Sequence, residues 1–344
     1  MNKKIIAAIA LSLSTLTLVA CGTPAKPSFS ANWKSNVLSK EFKATTETLE
    51  YSVTFEKNSF LQKDYFTIEY CGENNSKPGT YTTTLEYLDD ETYKYTTTLS
   101  VPVTYTLTSN SAESKDFTDT VQTETVFKKT DNYLQPIYSK KSAHCYSVCN
   151  VKTTNLENAY REYNYEFAIS YADDLTSGVL TRTDRSNPRT LLSDKMYPDG
   201  VATSNFTIDQ KKYIYLDNEQ LLFALRGLSN KQISSAKTFL TYNASTVSTE
   251  TASTTADTAV KTNFTLALNG AEAKDYSILY TPVTLKSGNK NAVLSQELWY
   301  AQTTSNTMNE FRNVLLRMKT PIYYGIGYLT YTLKSANFSQ EISQ

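Results

Sequence analysis

From Leu49 the chain alternates, with Leu49, Tyr51, Val53 and Phe55 in one phase and Glu50, Ser52 and Thr54 in the other. A period of two sends successive side chains to opposite faces, so this segment is predicted to be a half-buried strand. Phe66, Ile68 and Tyr70 repeat the pattern before the turn-rich run Gly72 to Gly79. Tyr81, Thr83, Leu85 and Tyr87 are then expected to form a hairpin with the long run Tyr93 to Leu107, joined through Asp89-Asp90-Glu91. Pro102 cannot donate to a ladder, which predicts an edge position or a bulge there. Tyr163 to Tyr171 alternate as cleanly, and further strands are expected over Ile278 to Leu285, Ala292 to Tyr300, Asn313 to Met318 and Tyr328 to Leu333. Alternation sustained over so many segments predicts a mainly β protein: a curved antiparallel sheet or partial barrel with one apolar face.

One amphipathic helix interrupts the strands. Asp217 is placed to cap it, Gln220 stands three residues on, Leu221, Leu222 and Leu225 share a face, and Gly227 follows Arg226 as a stop. Its expected role is to pack across the concave face of the sheet. Leu156 to Glu162 is a weaker helical stretch. Asn243 to Ala259, rich in Ser, Thr and Ala, is expected to be a long solvated loop. The nearest approach to a domain break is 181–200, with turn signals at Asn187-Pro188 and Pro198-Asp199-Gly200.

Composition supports the β reading, because the chain has 26 Tyr, a still larger number of Thr, and only 10 Gly and 9 Pro. Lys+Arg 34 against Asp+Glu 34 excludes a nucleic-acid binder acting through bulk positive charge. A single His removes most of the usual acid–base and zinc-ligand repertoire.

Met1 to Ala20 carry Lys3 and Lys4 and then an apolar run, the form of a secretory signal that takes no part in the fold. The run ends in Leu18-Val19-Ala20-Cys21, which resembles the lipobox of bacterial lipoproteins. That resemblance implies cleavage before Cys21 and lipidation of its thiol, leaving a protein anchored to a bacterial membrane on its extracytoplasmic side. Removing Met1 to Ala20 takes two Lys and no acid from the balanced total, so the mature charge is about −2 and acyl chains alone must supply the anchor. Residues 21–35 are expected to form a polar tether, and 36–344 the β-rich domain.

Cys71, Cys145 and Cys149 remain. An odd set in an oxidising compartment predicts one disulfide and one thiol, with three pairings open. A bridge from Cys71 to Cys145 or Cys149 would close a loop of roughly 75 residues and stabilise by ~4 kcal/mol. His144, Cys145 and Cys149 match no zinc spacing, so no metal is expected, and neighbouring strand residues point to opposite faces, which argues against a His144–Cys145 nucleophile pair.

The order of Glu47 to Phe55, Leu134-Gln135-Pro136-Ile137-Tyr138-Ser139, the helix ending Phe223-Ala224-Leu225-Arg226-Gly227-Leu228, Glu297-Leu298-Trp299-Tyr300 and Met318-Lys319-Thr320-Pro321-Ile322 resembles a bacterial family of secreted proteins of unknown function. That family is similar in fold to the half-barrel lipoprotein carriers, in which a curved sheet wraps a helix. It brings no catalytic residues, and this chain departs from it in its cysteine cluster and Ser/Thr-rich loop. No GxSxG elbow, phosphate loop or EF-hand run occurs in the chain. The acidic pairs Asp89-Asp90 and Asp173-Asp174 fit solvated turns better than glycosidase chemistry, and Trp33 and Trp299 could serve either sheet packing or sugar stacking. The expected function is therefore non-catalytic and cofactor-free: binding or scaffolding at the membrane surface, of an apolar ligand held between sheet and helix, a glycan or an envelope protein. The rival is an envelope glycan hydrolase using paired carboxylates.

Overall fold

The computed structural model describes residues 26–31, 33, 42–58, 65–150, 152–289, 292–302, 313–322 and 325–342. The signal segment Met1 to Ala20, Cys21 and part of 21–35 lie outside the described residues. The first nine strands are β1 (Phe42–Lys57), β2 (Phe66–Tyr70), β3 (Gly79–Asp89), β4 (Thr92–Leu107), β5 (Asn110–Lys129), β6 (Leu134–Val148), β7 (Tyr160–Tyr171), β8 (Ser177–Asp184) and β9 (Val201–Thr207). The remainder are β10 (Ile214–Tyr215), β11 (Lys237–Asn243), β12 (Ser248–Ala256), β13 (Val260–Leu268), β14 (Lys274–Asn289), β15 (Ala292–Ala301), β16 (Leu315–Pro321) and β17 (Gly327–Ile342).

Strands β4 to β9 pair in chain order, while the other edge of β4 is shared by β2 and β3. β3 continues to β1, and β1 pairs along its length with β17. From β17 the ladder runs back through β16, β15 and β14 to β12 and β11. β13 also lies on β14, and its last residues, Ala267 and Leu268, pair in parallel with Ser335 and Ala336 of β17, closing this half of the sheet on itself. The two ends of the ladder meet through side chains, Phe206 of β9 stacking on Tyr242 of β11 at 3.8 Å. The fold is thus barrel-like rather than an open curved sheet.

The expected phases hold on the apolar side: Leu49, Tyr51, Val53, Phe55, Phe66, Ile68 and Tyr70 are all buried. The β3–β4 hairpin turns at Asp90 and Glu91, both with positive φ (38° and 59°), the mirror-image turn that matches strand twist. Pro102, however, lies in a central strand. It sits where the neighbour of β4 changes from β3 to β2, so no ladder bond is demanded of its nitrogen, and its carbonyl accepts the Cys71 N–H at 2.9 Å. The expected loop Asn243 to Ala259 is mostly strand, with Glu250, Ala252 and Thr254 of β12 turned inward. Small polar residues there carry a period-two pattern that the ladder with β14 stabilises. Of the expected break at 181–200, residues 181–184 belong to β8 and 185–200 join it to β9 in the same sheet.

The helix is shorter and drier than an amphipathic one. It comprises α1 (Leu221–Ala224), a 3₁₀ turn through Gly227, and α2 (Asn230–Ile233), which carries a Ser229–Gln232 capping box. Leu221, Phe223, Ala224 and Leu225 are buried and Leu222 is half-buried, so the segment is a plug inside the barrel. Gly227 serves close approach more than termination: its carbonyl accepts the Ser30 N–H at 2.7 Å, and a Cβ would stand 3.1 Å from the Phe29 ring. Leu156 to Asn158 form a single 3₁₀ turn ahead of β7.

The described part of the expected tether belongs to the same plug. Phe29 and Trp33 are both 1% exposed. Phe29 N–H donates to the Asn132 carbonyl (3.1 Å), Ser28 Oγ to Asn132 Oδ1 (2.6 Å) and Lys26 Nζ to the Gln210 carbonyl (2.9 Å). Trp33 packs on Phe223 at 4.9 Å, and Phe223 in turn meets Tyr95 and Phe127. Burying aromatic surface on this scale is what fixes the chain entering the domain.

Candidate functional site

The plug fills only one end of the barrel. Along the inward phase of β5, Phe127 and Thr125 are fully buried, Thr123 nearly so, and Val121 and Asp119 half-buried. β7 repeats the gradient from buried Ile169 and Phe167 to half-buried Tyr165 and Tyr163, and on β8 Arg182 is half-buried between buried Leu180 and Asp184. β6 places Ser139, Lys141 and Cys145 in the same phase, because Lys141 pairs across to Thr123 and Phe167. These rows enclose a cup between β5–β9 and the segment leading into α1.

Its floor is the turn Asp217 to Gln220. Asp217 is 1% exposed, and its Oδ2 accepts Ser139 Oγ at 2.6 Å and the Tyr171 hydroxyl. Tyr171 also shares a hydrogen bond with the Tyr215 hydroxyl at 2.9 Å. Burial pushes the Asp217 carboxyl up, against the hydrogen bonds that favour its charged form. Its Oδ1 accepts Glu219 N–H at 2.8 Å, so Asp217 orders the turn ahead of the helix, while Gln220 occupies the N-cap position. Glu219 reaches into the cup to Lys141 at 3.3 Å, and its charge raises the Lys141 ammonium above its ordinary range. The two side chains keep 18% and 27% of their surface, placing this pair on the cup wall within reach of solvent.

Two further groups stand on the walls. Arg182 Nε is buried and, among the described residues, has no hydrogen-bond partner. Asp119 stands where the β5–β6 ladder ends at Thr120–His144; there its Oδ1 accepts the Tyr146 N–H at 2.7 Å. Burial pushes its carboxyl up to about 7, with the Tyr146 amide and His144 opposing the shift.

The cysteines are separate thiols, so the expected bridge from Cys71 is not formed. Cys71 is buried and donates to the Val53 carbonyl (3.3 Å), Cys145 contacts the Thr120 carbonyl (3.7 Å), and Cys149 contacts the Asn158 carbonyl (3.3 Å). Burial pushes the Cys145 thiol up to about 12, which leaves it protonated and unreactive at neutral pH. His144 faces the outer side and bonds Glu162 at 2.8 Å, as strand alternation requires. Trp33 is core, while Trp299 is sandwiched by Tyr280 (4.8 Å) and Arg317 (4.6 Å), so neither forms an open sugar platform. Asp90 pairs with Lys128 at an exposed turn. Among the described residues no three His, Cys, Asp or Glu gather as a metal set, and no helix is long and apolar enough to cross a membrane.

Sequence reasoning missed a second polar site inside the plug. Arg226 meets Glu47 with both nitrogens, Nη1–Oε1 2.5 Å and Nη2–Oε2 2.8 Å, at 3% and 2% exposure. Burial alone would lower the guanidinium; the carboxylate against it holds it above its ordinary value. The available signal was Glu47 itself, which shares the inward phase of Leu49 to Phe55.

No protein-family model matches the chain, and no curated protein does. Among solved structures it is similar to a beta-barrel-like protein of domain of unknown function DUF1849 from Brucella abortus, at 9% identity and a TM-score of 0.48, covering 86% of this chain and 98% of that one. It is also similar to a Bacteroides fragilis protein described as exported and of YmcC-like fold, at 7% identity and a TM-score of 0.22, covering 90% of this chain and 99% of that one.

Proposed function

We propose that this chain is an extracytoplasmic, non-catalytic binding protein, lipid-anchored to a bacterial membrane through Cys21, that takes its ligand into the cup. The observation that carries the reading is the gradient of accessibility along β5 and β7, which leaves inward-facing Tyr163 and Tyr165 half-buried beside half-buried Lys141 of β6 and Arg182 of β8, where the opposite end is packed solid. An apolar ligand between sheet and helix has no place in this reading, since Phe223 and its aromatic neighbours occupy that space. The cup walls favour an oxygen-rich ligand with an apolar face: tyrosine rings to stack on, and the Arg182 Nε donor to meet an acceptor. A cell-wall glycan fragment has that chemistry. Titrating soluble fragments of bacterial cell-wall glycan tests it. Tyr165→Ala and Arg182→Ala should each weaken binding about tenfold or more with the fold intact; unchanged affinity in both overturns the site.

One observation favours the hydrolase alternative: a carboxyl at about 7 is the state a general acid needs. Cleavage also requires a second carboxylate ~5 to 10 Å away, and Glu219 on the cup wall is engaged by Lys141. Release of reducing ends from the same glycan, lost in Asp119→Asn, would establish the enzyme over the binding protein.

A further inference from the structure

The docked N-terminal segment orients the molecule. Lys26 is held to Gln210, and Ser28 and Phe29 to Asn132, at the end of the barrel that also carries the β3–β4 turn and the β7–β8 turn. Only four residues, 22–25, separate Lys26 from Cys21, so over five Cα steps the Lys26 Cα lies within about 18 Å of the Cys21 Cα. We infer that this plugged end lies against the bilayer holding the lipid and that the cup opens away from it. The inference rests on the proposed anchor at Cys21 and adds the face that touches lipid.

Two further observations fit this face to a bilayer. Leu88, Ile137 and Val179, exposed at 48%, 42% and 43%, all lie within a few residues of its turns. The outer row is continuous there, since Tyr138 pairs with Ser170 and Ser170 with Val179. Leu88 and Ile137 also mark register irregularities, where the regular in-and-out alternation is broken. The charges at these turns are Lys26, Lys128, Lys129, Lys211 and Lys212 against Asp89, Asp90, Glu91, Asp131, Asp173, Asp174 and Asp209, with no basic excess to attract anionic lipid, so the contact is held by acyl chains and apolar side chains, and salt should not release it. At the far end, loop 185–200 begins after the eight residues of β8, about 25 Å away along that strand.

Hydrogen–deuterium exchange tests the orientation, comparing the acylated full chain on phosphatidylethanolamine–phosphatidylglycerol vesicles with the Cys21→Ala chain in solution. Exchange at 130–133, 172–176 and 208–213 should slow about tenfold or more on vesicles, in low and high salt, with 185–200 unchanged. Ile137→Asp, at an exposed site, should keep its melting temperature and lose part of the protection at 130–133. An acylated chain protected at 185–200, or at neither end, overturns the orientation while leaving the anchor standing. An intact mass without lipid on Cys21 overturns the anchor, and the orientation with it.

Discussion

The two ends of this barrel solve the same problem differently. At the plugged end, Glu47 is buried against a guanidinium that satisfies both its oxygens. In the cup, Asp217 is as deeply buried but meets hydroxyls, and Asp119 meets one backbone amide. A guanidinium balances the first carboxylate in a dry core, whereas neutral partners leave the other two pushed towards their protonated forms. Unpaired groups are not sorted by end, since Arg182 Nε on the cup wall and Trp33 Nε1 in the plug are both buried without a hydrogen-bond partner among the described residues; what differs is the charge that meets each buried carboxylate.

The largest break in that comparison is expected from Arg226→Met. It strands the Glu47 charge in the core and should cost about 3 to 5 kcal/mol in urea unfolding. Pairing it with Glu47→Leu should recover most of that loss, because the penalty comes from an uncompensated charge more than from a missing attraction. A double variant no better than the single would show that the pair is needed for packing.

Next in size, truncating rings separates filled from unfilled space. Phe223→Ala removes the residue on which Trp33, Tyr95 and Phe127 converge and should cost about 3 to 4 kcal/mol. Tyr165→Ala, on the half-buried wall, should cost about 1 kcal/mol, since less surface leaves a packed environment. Equal losses in thermal or urea unfolding would mean the cup is as tightly packed as the plug.

Much of this architecture is legible in the chain, and the exceptions have physical causes. The strand phases of β1 to β4 and β7 could be read because large aromatics mark the inward positions. β12 could not, because its inward residues are Glu250, Ala252 and Thr254, whose burial depends on partners far along the chain. Leu221, Leu222 and Leu225 suggested a helix with one wet face, but Phe223 and Ala224 between them are buried too, which only an enclosing barrel can bring about. Phe29 and Trp33 stand in a polar context, and their burial depends on distant partners: Asn132 and Gly227 hold the backbone at Phe29 and Ser30, and Phe223 packs on Trp33. The cup's charges were visible as violations: Asp119 and Lys141 hold the inward phase of strands whose other inward residues are apolar or hydroxylic. Asp184 is another violation, with a structural role. Its Oδ2 accepts the N–H groups of Thr190, Leu191 and Leu192, and no pattern in 185–200 announces that nucleus.

Asp184 also allows the smallest prediction to be read unambiguously. Burial alone would raise its carboxyl, but these amides and Ser186 hold it low, so its contribution is present at neutral pH and lost on acidification through its depressed folded value. Asp119 has the opposite sign. Its folded value of about 7 stands above the ~3.9 of an unfolded chain, so between those limits the folded state binds more protons and stability falls as pH rises. A half-buried carboxyl is partly screened by water, which limits the change to about 1 kcal/mol across that window. Asp119→Asn retains an oxygen to accept the Tyr146 amide and cannot ionise. Unfolding measured from pH 4 to 8 should therefore fall less steeply in Asp119→Asn than in the parent, and the residual slope should shrink again when Asp217→Asn is added. Parallel curves for parent and Asp119→Asn would mean that this carboxyl ionises as freely as a surface one, and that the cup wall there is open water.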